Sequence, residues 1–333
     1  MSTSANCRRV LSQPDRGLGR RYPRRRTQAT RAAFVERKLS ATPPHSMRLP
    51  PLLALMRPHQ WLKNVFVFAG LVFSQSWHDT DRVMQVLSAF AVFCLFSSAV
   101  YVVNDWADRA SDALHPTKRL RPLASGAVSS GAAFTLAAVL LAAGIALANG
   151  HPVLLGLVGL YIASNLAYSW RLKRVPVVDV FIIALGFMLR LFAGTSGVGI
   201  PPSRWLILTG IFAALFLGFS KRRAETFHAV ASQRSVLEHY PPALLDIYVA
   251  VTMTATLMTY SLFATSPESQ AQHGERLVYT VPIVIFGMLR YAYQVHRGHG
   301  EDVARDLLRD RWIVAALIAW LLVFMAPSLS VIA

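Results

Sequence analysis

The sequence predicts an all-α protein that crosses a membrane many times. Of its 333 residues, 54% are hydrophobic and only 15% are charged. The apolar residues fall in blocks of about twenty, the length that a helix needs to cross a bilayer. These blocks predict a polytopic bundle of nine transmembrane helices. They cover approximately residues 65–77, 86–104, 132–149, 153–170, 177–197, 205–220, 244–264, 277–295 and 312–331.

Turn sequences separate several of the predicted helices. The segments Asn149-Gly150-His151-Pro152 and Gly199-Ile200-Pro201-Pro202 can each reverse the chain, because Gly and Pro favour tight turns. Several blocks are shorter than the ~20 residues that a bilayer requires. We therefore expect the ends of these helices to shift by several residues.

The first 46 residues differ from the rest of the chain in composition. They contain eleven Lys and Arg residues against Asp15 and Glu36, and eleven minus two gives nine of the total net charge of +17. We predict a disordered basic tail at 1–46, followed by a transmembrane catalytic domain at 47–333. Three alternatives for the tail stay open: a transit peptide, a segment that lies on anionic lipid, and an extension upstream of a true start at Met47.

The charge of the loops predicts the orientation in the membrane. Loops 105–131, 171–176, 221–243 and 296–311 contain fifteen Lys and Arg residues, whereas the alternate loops contain three. Basic residues collect on the cytoplasmic side of membrane proteins. We therefore expect these four loops and the N-terminus to face the cytoplasm, as in a plasma-membrane protein with its C-terminus outside.

A run of carboxylates follows the second apolar block. Asp105, Asp108 and Asp112 have the spacing i, i+3, i+7, which predicts that all three project from one face of a helix. Three acids on one face repel each other unless a cation joins them, and hard oxygen ligands suit Mg²⁺. The alternative is a solvated helix end without a ligand. Asp112 either ligates the metal or holds the loop that follows.

Basic and aromatic residues on the same predicted side could hold phosphate groups. They lie after the carboxylates, before the first block, after the fourth block and after the sixth. Each cluster alone is commonly only a topology signal, but an acid cluster surrounded by basic ones fits a polyphosphate with bound Mg²⁺. The predicted donor-phosphate ligands are Lys63, Lys118, Arg119, Arg121, Tyr168, Lys173, Lys221 and Arg222.

Arg190 lies well inside the fifth apolar block. An isolated guanidinium group at that depth would cost several kcal/mol. The side chain is therefore expected to face a polar cavity, which is the favoured interpretation, or to pair with a buried acid.

The segment from Asn104 to Asp112 resembles the first aspartate-rich motif of the UbiA superfamily of intramembrane prenyltransferases. The resemblance extends from about Met56 to the C-terminus. It implies a nine-helix bundle with an active-site cavity on the cytoplasmic side and Mg²⁺ as cofactor. It also implies that Asp105 and Asp108 are catalytic, and that the metal ligands are Asn104, Asp105, Asp108 and Asp112.

The chain departs from the superfamily pattern after the sixth block. Typical members have a second aspartate-rich motif there, but this chain reads Lys221-Arg222-Arg223-Ala224-Glu225. In this respect it is similar to the branch that transfers phosphoribosyl from phosphoribosyl diphosphate to a decaprenyl-type polyprenyl phosphate for cell-wall arabinan precursors. The resemblance implies these two substrates and membrane lipid as partners, and no nucleic acid.

Two other functions stay open at this point. One is a prenyltransferase that moves a prenyl group from a prenyl diphosphate to an aromatic or other small acceptor. The other is a membrane transporter without catalytic activity. The basic residues in place of the second acid motif count against the first, and acid clusters at one face rather than in the midplane count against the second.

Overall fold

The computed structural model describes residues 50–115, 118–227, 235–300 and 303–326. These residues belong to one compact unit that begins at Pro50. The predicted basic tail at 1–46 and the possible start at Met47 lie outside the described residues.

Within the described ranges the chain is all-helical, as predicted, and contains no β-strand. Short 3₁₀ helices connect several α-helices, and the longest of them covers Pro58–Phe68. The α-helices are α1 (Pro51–Met56), α2 (Ala69–Phe73), α3 (Thr80–Ala113), α4 (Ser130–Leu147), α5 (Pro152–Trp170), α6 (Val178–Ala193), α7 (Arg204–Phe227), α8 (Pro242–Thr265), α9 (Pro267–His273), α10 (Val281–His296), α11 (Val303–Arg309) and α12 (Arg311–Met325).

Six of these helices, α3 to α8, are long and apolar enough to cross a membrane, if α6 is continued through the short 3₁₀ helix that ends at Val198. They coincide with the second to seventh predicted blocks. Helix α10 has 16 residues, and the apolar helix α12 has 15. The ninth predicted block, 312–331, extends beyond the described residues.

The first predicted block, 65–77, is not a continuous α-helix. It consists of the second half of the 3₁₀ helix Pro58–Phe68, the short helix α2 and a turn at Gln75, whose φ is 54°. The segment lies against α3 and α6. Its path is fixed by a close backbone contact with α6: a Cβ on Gly194 would lie 1.6 Å from the carbonyl oxygen of Val67.

Helix α6 is central to the bundle. Through Val180 and Phe187 it packs with α7, α8 and α10 in one hydrophobic cluster. Its second half packs with the first segment, α3 and α5 in another cluster, to which Leu189 and Ala193 belong. Because α6 contributes to both clusters, it holds the two groups of helices together.

Candidate functional site

Two buried carboxylates near the end of α3 are joined by arginines. Asp105 is only 4% exposed, and its Oδ1 accepts hydrogen bonds from Arg57 at 2.5 Å and from Arg121 at 3.2 Å. Arg121 also donates to Oδ2 of Asp112 at 2.5 Å. We refer to Arg57, Asp105, Asp112 and Arg121 as the carboxylate–arginine cluster. Its two formal negative charges are balanced by two positive charges.

Arg57 belongs to the basic segment before the first predicted block but was not among the predicted site residues. Arg57 lies between α1 and the 3₁₀ helix and adopts a left-handed conformation with φ 51°, which is rare for a residue with a side chain, and rarer still before a proline. The turn is tied to α3 because Ser98 donates to the carbonyl of Met56, and Trp61 donates to Ser98, both at 3.0 Å. The available signal was the basic residue directly before Pro58.

The structure does not place the three predicted aspartates together. Asp112 shares the buried face of α3 with Asp105, whereas Asp108 is exposed. Asn104 is half-buried and accepts a hydrogen bond from Ser169 at 3.3 Å. In the described part of the chain, no three His, Cys, Asp or Glu side chains are grouped closely enough to hold a metal ion. The i, i+3, i+7 spacing predicted a closer group of aspartates than the structure has. On the surface of α3, Asp108 lies to one side of the line that joins Asp105 and Asp112.

The donor atoms of this region nevertheless suit Mg²⁺ chemically, since carboxylate and amide oxygens are its usual protein ligands. In this structure two guanidinium groups lie against Asp105 where a cation would bind. The residues therefore fit Mg²⁺ on the condition that the arginines move to another anion.

A second polar network is centred on Arg222, at the same end of the bundle. Arg222 is fully buried, and its guanidinium group donates to Asp179 at 2.6 Å, Glu225 at 2.6 Å and Tyr168 at 3.0 Å. Tyr240 donates to the other oxygen of Asp179 at 2.7 Å. Each of the three guanidinium nitrogens therefore has a protein acceptor. The sequence predicted Arg222 and Tyr168 as phosphate ligands, but their polar atoms contact each other.

Two adjacent residues at the end of α5 connect the network and the cluster. Tyr168 accepts from Arg222 of α7, and Ser169 donates to Asn104 of α3, next to Asp105. The ends of α3, α5 and α7 therefore meet. This is the convergence that a single polyphosphate site requires.

The remaining predicted phosphate ligands lie at the ends of these elements. Lys118 and Arg119 are exposed in the short 3₁₀ helix after α3. Lys173 is half-buried in the 3₁₀ helix Leu172–Arg174, after α5. Lys63 is half-buried in the 3₁₀ helix Pro58–Phe68, and Lys221 is half-buried on α7.

The environment of Arg190 differs from both expected ones, the polar cavity and the buried acid. It is 5% exposed, and it donates to the amide oxygen of Asn64 at 2.7 Å, the carbonyl of Gly186 at 2.6 Å and the hydroxyl of Tyr161 at 3.1 Å. Its guanidinium carbon lies 4.8 Å from the centre of the Tyr161 ring and 5.7 Å from that of Phe93. Neutral acceptors and aromatic faces replace both the polar cavity and the acid, because they also stabilise a cation.

Known proteins resemble this chain in both sequence and fold. A model of the UbiA prenyltransferase family matches residues 64–314. The chain is similar to a decaprenyl-phosphate phosphoribosyltransferase from Corynebacterium glutamicum, with 34% identity over 88% of this chain and 91% of that protein. A protein of the same description from Mycobacterium tuberculosis is 34% identical over 84% of this chain and 95% of its own length.

The fold is similar to that of a UbiA homologue from Archaeoglobus fulgidus, solved with GPP and Mg²⁺ bound. The TM-score is 0.61 at 18% identity, and the match covers 82% of this chain and 96% of that one. The similar fold, the length of the family match and the identity with relatives over most of the chain all indicate the same family. The chain therefore belongs to the UbiA prenyltransferase family.

Proposed function

We propose that this protein transfers a 5-phosphoribosyl group from phosphoribosyl diphosphate to a polyprenyl phosphate and releases diphosphate. The observation that carries the proposal is that Tyr168 and Ser169 link Arg222, at the basic end of α7, to Asn104, the neighbour of Asp105 in the carboxylate–arginine cluster. Carboxylates on one side and bases on the other suit a donor that has a diphosphate and a further phosphate. Relatives with that activity in their names are similar over most of the chain.

The diphosphate end of the donor belongs beside α3. Asp105 and Asp112 would hold Mg²⁺ on the diphosphate, with Asp108 and Asn104 as further oxygen ligands. When bound, the ion neutralises charge that develops on the leaving diphosphate. Arg121, together with the exposed Lys118 and Arg119, lies where it would bind the same diphosphate oxygens.

The 5-phosphate end belongs beside α5 and α7, where Lys173 and Lys221 are the candidate ligands. Lys63, in the 3₁₀ helix Pro58–Phe68, is a further candidate for a donor phosphate. We assign Arg222 and Tyr168 to holding the ends of α5, α6 and α7 together, because their polar atoms already have protein partners. Their predicted direct contact with phosphate would require this network to open.

The acceptor needs little activation by the protein. A polyprenyl phosphate is already anionic at neutral pH, so its attack on the anomeric carbon of ribose does not require a strong general base. In-line displacement of diphosphate inverts that carbon. The basic side chains orient the two reactants, and the polyprenyl chain lies among the apolar residues between the helices.

We further propose nine membrane crossings, with the site facing the cytoplasm at the plasma membrane and the catalytic domain at 47–333. The six long apolar helices support this arrangement, and the fifteen-to-three asymmetry of basic residues in the loops gives its orientation. The product would be a precursor for cell-wall arabinan, as the resemblance noted in the sequence implies.

The test is a transfer assay with purified protein in lipid nanodiscs. One sample contains labelled phosphoribosyl diphosphate, a polyprenyl phosphate and Mg²⁺, and a parallel sample contains a prenyl diphosphate and an aromatic acceptor. We expect label to enter the lipid only in the first sample, and EDTA to stop the transfer. Transfer only from the prenyl diphosphate would contradict the proposal in favour of an ordinary prenyltransferase.

The matched variants for this assay are Asp105→Asn and Asp79→Asn. Asp105 is the buried member of the cluster, whereas Asp79 is an exposed cap at the other end of the same helix. We expect Asp105→Asn to lower the rate by orders of magnitude and Asp79→Asn to leave it nearly unchanged. An unchanged rate in Asp105→Asn would favour a protein without this catalytic site, such as a transporter.

A further inference from the structure

Arg57 and Arg121 bind the carboxylate that a metal ion would need. Both guanidinium groups donate to the same atom, Oδ1 of Asp105, at 2.5 and 3.2 Å. The side chains of Arg57 and Arg121 are 22% and 29% exposed, while that of Asp105 is 5% exposed. A divalent ion that approaches Asp105 therefore competes with two positive charges already in place.

Displacing these arginines has a cost that depends on what they bind next. A partly buried guanidinium that loses its carboxylate partner is left with an uncompensated charge, which is strongly unfavourable. The cost disappears if an anion with several oxygens arrives together with the metal. Guanidinium groups bind phosphate oxygens in a fork geometry, so the diphosphate of the donor is suited to accept them.

The backbone at Arg57 favours the same exchange. With φ 51° and Pro58 after it, Arg57 holds a left-handed conformation that is strained for a residue with a side chain. The contacts with Asp105 and with the ring of Tyr101, whose centre is 5.3 Å away, help to hold it there. If a metal ion binds the carboxylate of Asp105, Arg57 loses one of these contacts and is free to move.

We propose that Arg57 and Arg121 are exchangeable counter-ions that make metal binding at Asp105 depend on diphosphate binding. Mg²⁺ alone binds weakly because it must displace two arginines from Asp105 without offering them another anion. Diphosphate accepts the arginines and so raises the affinity for the metal, and by thermodynamic reciprocity the metal raises the affinity for diphosphate by the same factor. The inference rests on the proposed function and adds Arg57 as a donor-binding residue.

The experiment measures metal binding rather than turnover. Full-length protein in nanodiscs is titrated with Mn²⁺, and free Mn²⁺ is followed by electron paramagnetic resonance, with and without inorganic diphosphate. Diphosphate also chelates Mn²⁺ in solution, so variants are compared with wild type at identical concentrations of both. Wild type should bind Mn²⁺ weakly alone and more tightly with diphosphate.

The informative variants are Arg57→Gln and Arg121→Gln, with Arg109→Gln as the matched control. Arg109 is exposed on the same helix as Asp105 and donates to the carbonyl of Trp106, so its loss removes one charge without removing a bond to Asp105. Loss of a charge-assisted hydrogen bond should make Arg57→Gln bind Mn²⁺ alone roughly ten- to a hundredfold more tightly. The factor by which diphosphate raises the Mn²⁺ affinity of Arg57→Gln should be smaller than in wild type by a similar amount. Arg109→Gln should behave like wild type.

Two results would overturn the inference. The first is wild-type protein that binds Mn²⁺ without diphosphate as tightly as Arg57→Gln does. The second is an equal gain in Mn²⁺ affinity in Arg109→Gln and Arg57→Gln. That result would mean that the loss of a positive charge, and not the loss of the bond to Asp105, raises the affinity. Arg121→Gln repeats the test if Arg57→Gln does not fold. Phosphoribosyl transfer without coupling would contradict this inference alone, whereas coupling without transfer would contradict the proposed function alone.

Discussion

Three consecutive basic residues on α7 have three different environments. Lys221 is half-buried, Arg222 is fully buried among acceptors, and Arg223 pairs with Asp246 of α8 at 2.6 Å. Successive residues on a helix point about 100° apart, so a run of like charges does not act as one surface. Of the three, Lys221 is the one whose side chain is neither fully buried nor bound to Asp246, and we keep it as the candidate for direct contact with the donor.

We expect Arg222→Met to lower mainly the stability of the protein and Lys221→Met to weaken mainly donor binding. Removal of Arg222 leaves Asp179 and Glu225 without their cation, and breaking a buried ion pair in this way costs about 3–5 kcal/mol. Lys221→Met should retain most of the stability but raise the KM for phosphoribosyl diphosphate. Heating followed by size-exclusion chromatography measures the first effect, and transfer kinetics measure the second. A thermally normal Arg222→Met with a raised KM would mean that Arg222 binds phosphate directly.

His273, at the other end of the bundle, provides a test of pH dependence. It is 1% exposed and lies between the rings of Phe263 and Phe324, with centroid distances of 5.7 and 5.1 Å. Burial, with a smaller contribution from the charge of Arg276, lowers the pKa of His273 to about 4. In an unfolded chain the pKa is about 6.5.

Between those two pKa values the unfolded chain binds a proton that the folded protein does not bind. The contribution of His273 to stability is therefore complete above about pH 6.5 and falls as the pH is lowered toward 4. We expect the melting temperature of wild type to fall over this range, and the fall to be smaller in His273→Gln. The measurement is thermal denaturation at several pH values. Parallel pH profiles for the two proteins would contradict the assignment.

At the scale of elements, the first segment and α6 approach each other through glycine. A Cβ added to Gly194 would lie 1.6 Å from the carbonyl oxygen of Val67, and one added to Gly70 would lie 2.2 Å from the carbonyl oxygen of Gly194. Both obstacles are backbone atoms, which cannot rotate away as a side chain can. This contact holds the 3₁₀ segment in the bundle and so helps to place Arg57 beside Asp105.

We expect Gly194→Ala to prevent correct packing of the first segment. The loss should exceed the ~3 kcal/mol that overpacking typically costs, because the segment as a whole must move. The matched control is Gly159→Ala on α5, where an added Cβ meets nothing within 4 Å and alanine favours a helix. The yield of monodisperse protein in detergent distinguishes the two. Equal yields would mean that the segment has room to move.

The hydrophobic blocks predicted the elements better than they predicted the site. Long apolar runs identify helices directly, and the family indicated by Asn104 to Asp112 is confirmed. The 3₁₀ segment was missed because its hydropathy is that of an α-helix. Its geometry depends on distant contacts such as that of Asn64 with Arg190, 126 residues away.

Sequence patterns also did not predict which residues the charged side chains contact. The spacing of Asp105 and Asp112 correctly placed both on one face, but Arg57 lies 48 residues before the carboxylate that it binds. Arg222 looked like a phosphate ligand because nothing in a run of three bases shows which one is buried. Burial is decided by packing, in this case against α5 and α6, and only the folded chain reveals it.

At the scale of the whole molecule, the polar networks and the loops with few charges lie at opposite ends of the long helices. Asp179, in the Arg222 network, lies in the first turn of α6, and Gly194, directly after the other end of the helix, lies against Gly70. Helix α7 runs in the opposite direction, from Arg204 to the Arg222 network. One end of the bundle therefore contains both the carboxylate–arginine cluster and the Arg222 network. The excess of basic residues in the loops at this end predicts that it faces the cytoplasm.

Cysteine labelling tests this orientation with single exposed positions at the two ends. In a Cys7→Ser background, Ser125→Cys lies in the loop after α3, and Ala271→Cys lies on α9. Both positions are exposed, whereas the native Cys94 is buried and serves as an internal negative control. A membrane-impermeant maleimide should label Ala271→Cys in intact cells and Ser125→Cys only after the membrane is disrupted, because the excess of basic residues in the loops on the Ser125 side predicts that this side faces the cytoplasm. The reverse pattern would place the carboxylate–arginine cluster outside, away from a cytoplasmic supply of phosphoribosyl diphosphate, and would contradict both the orientation and the proposed donor.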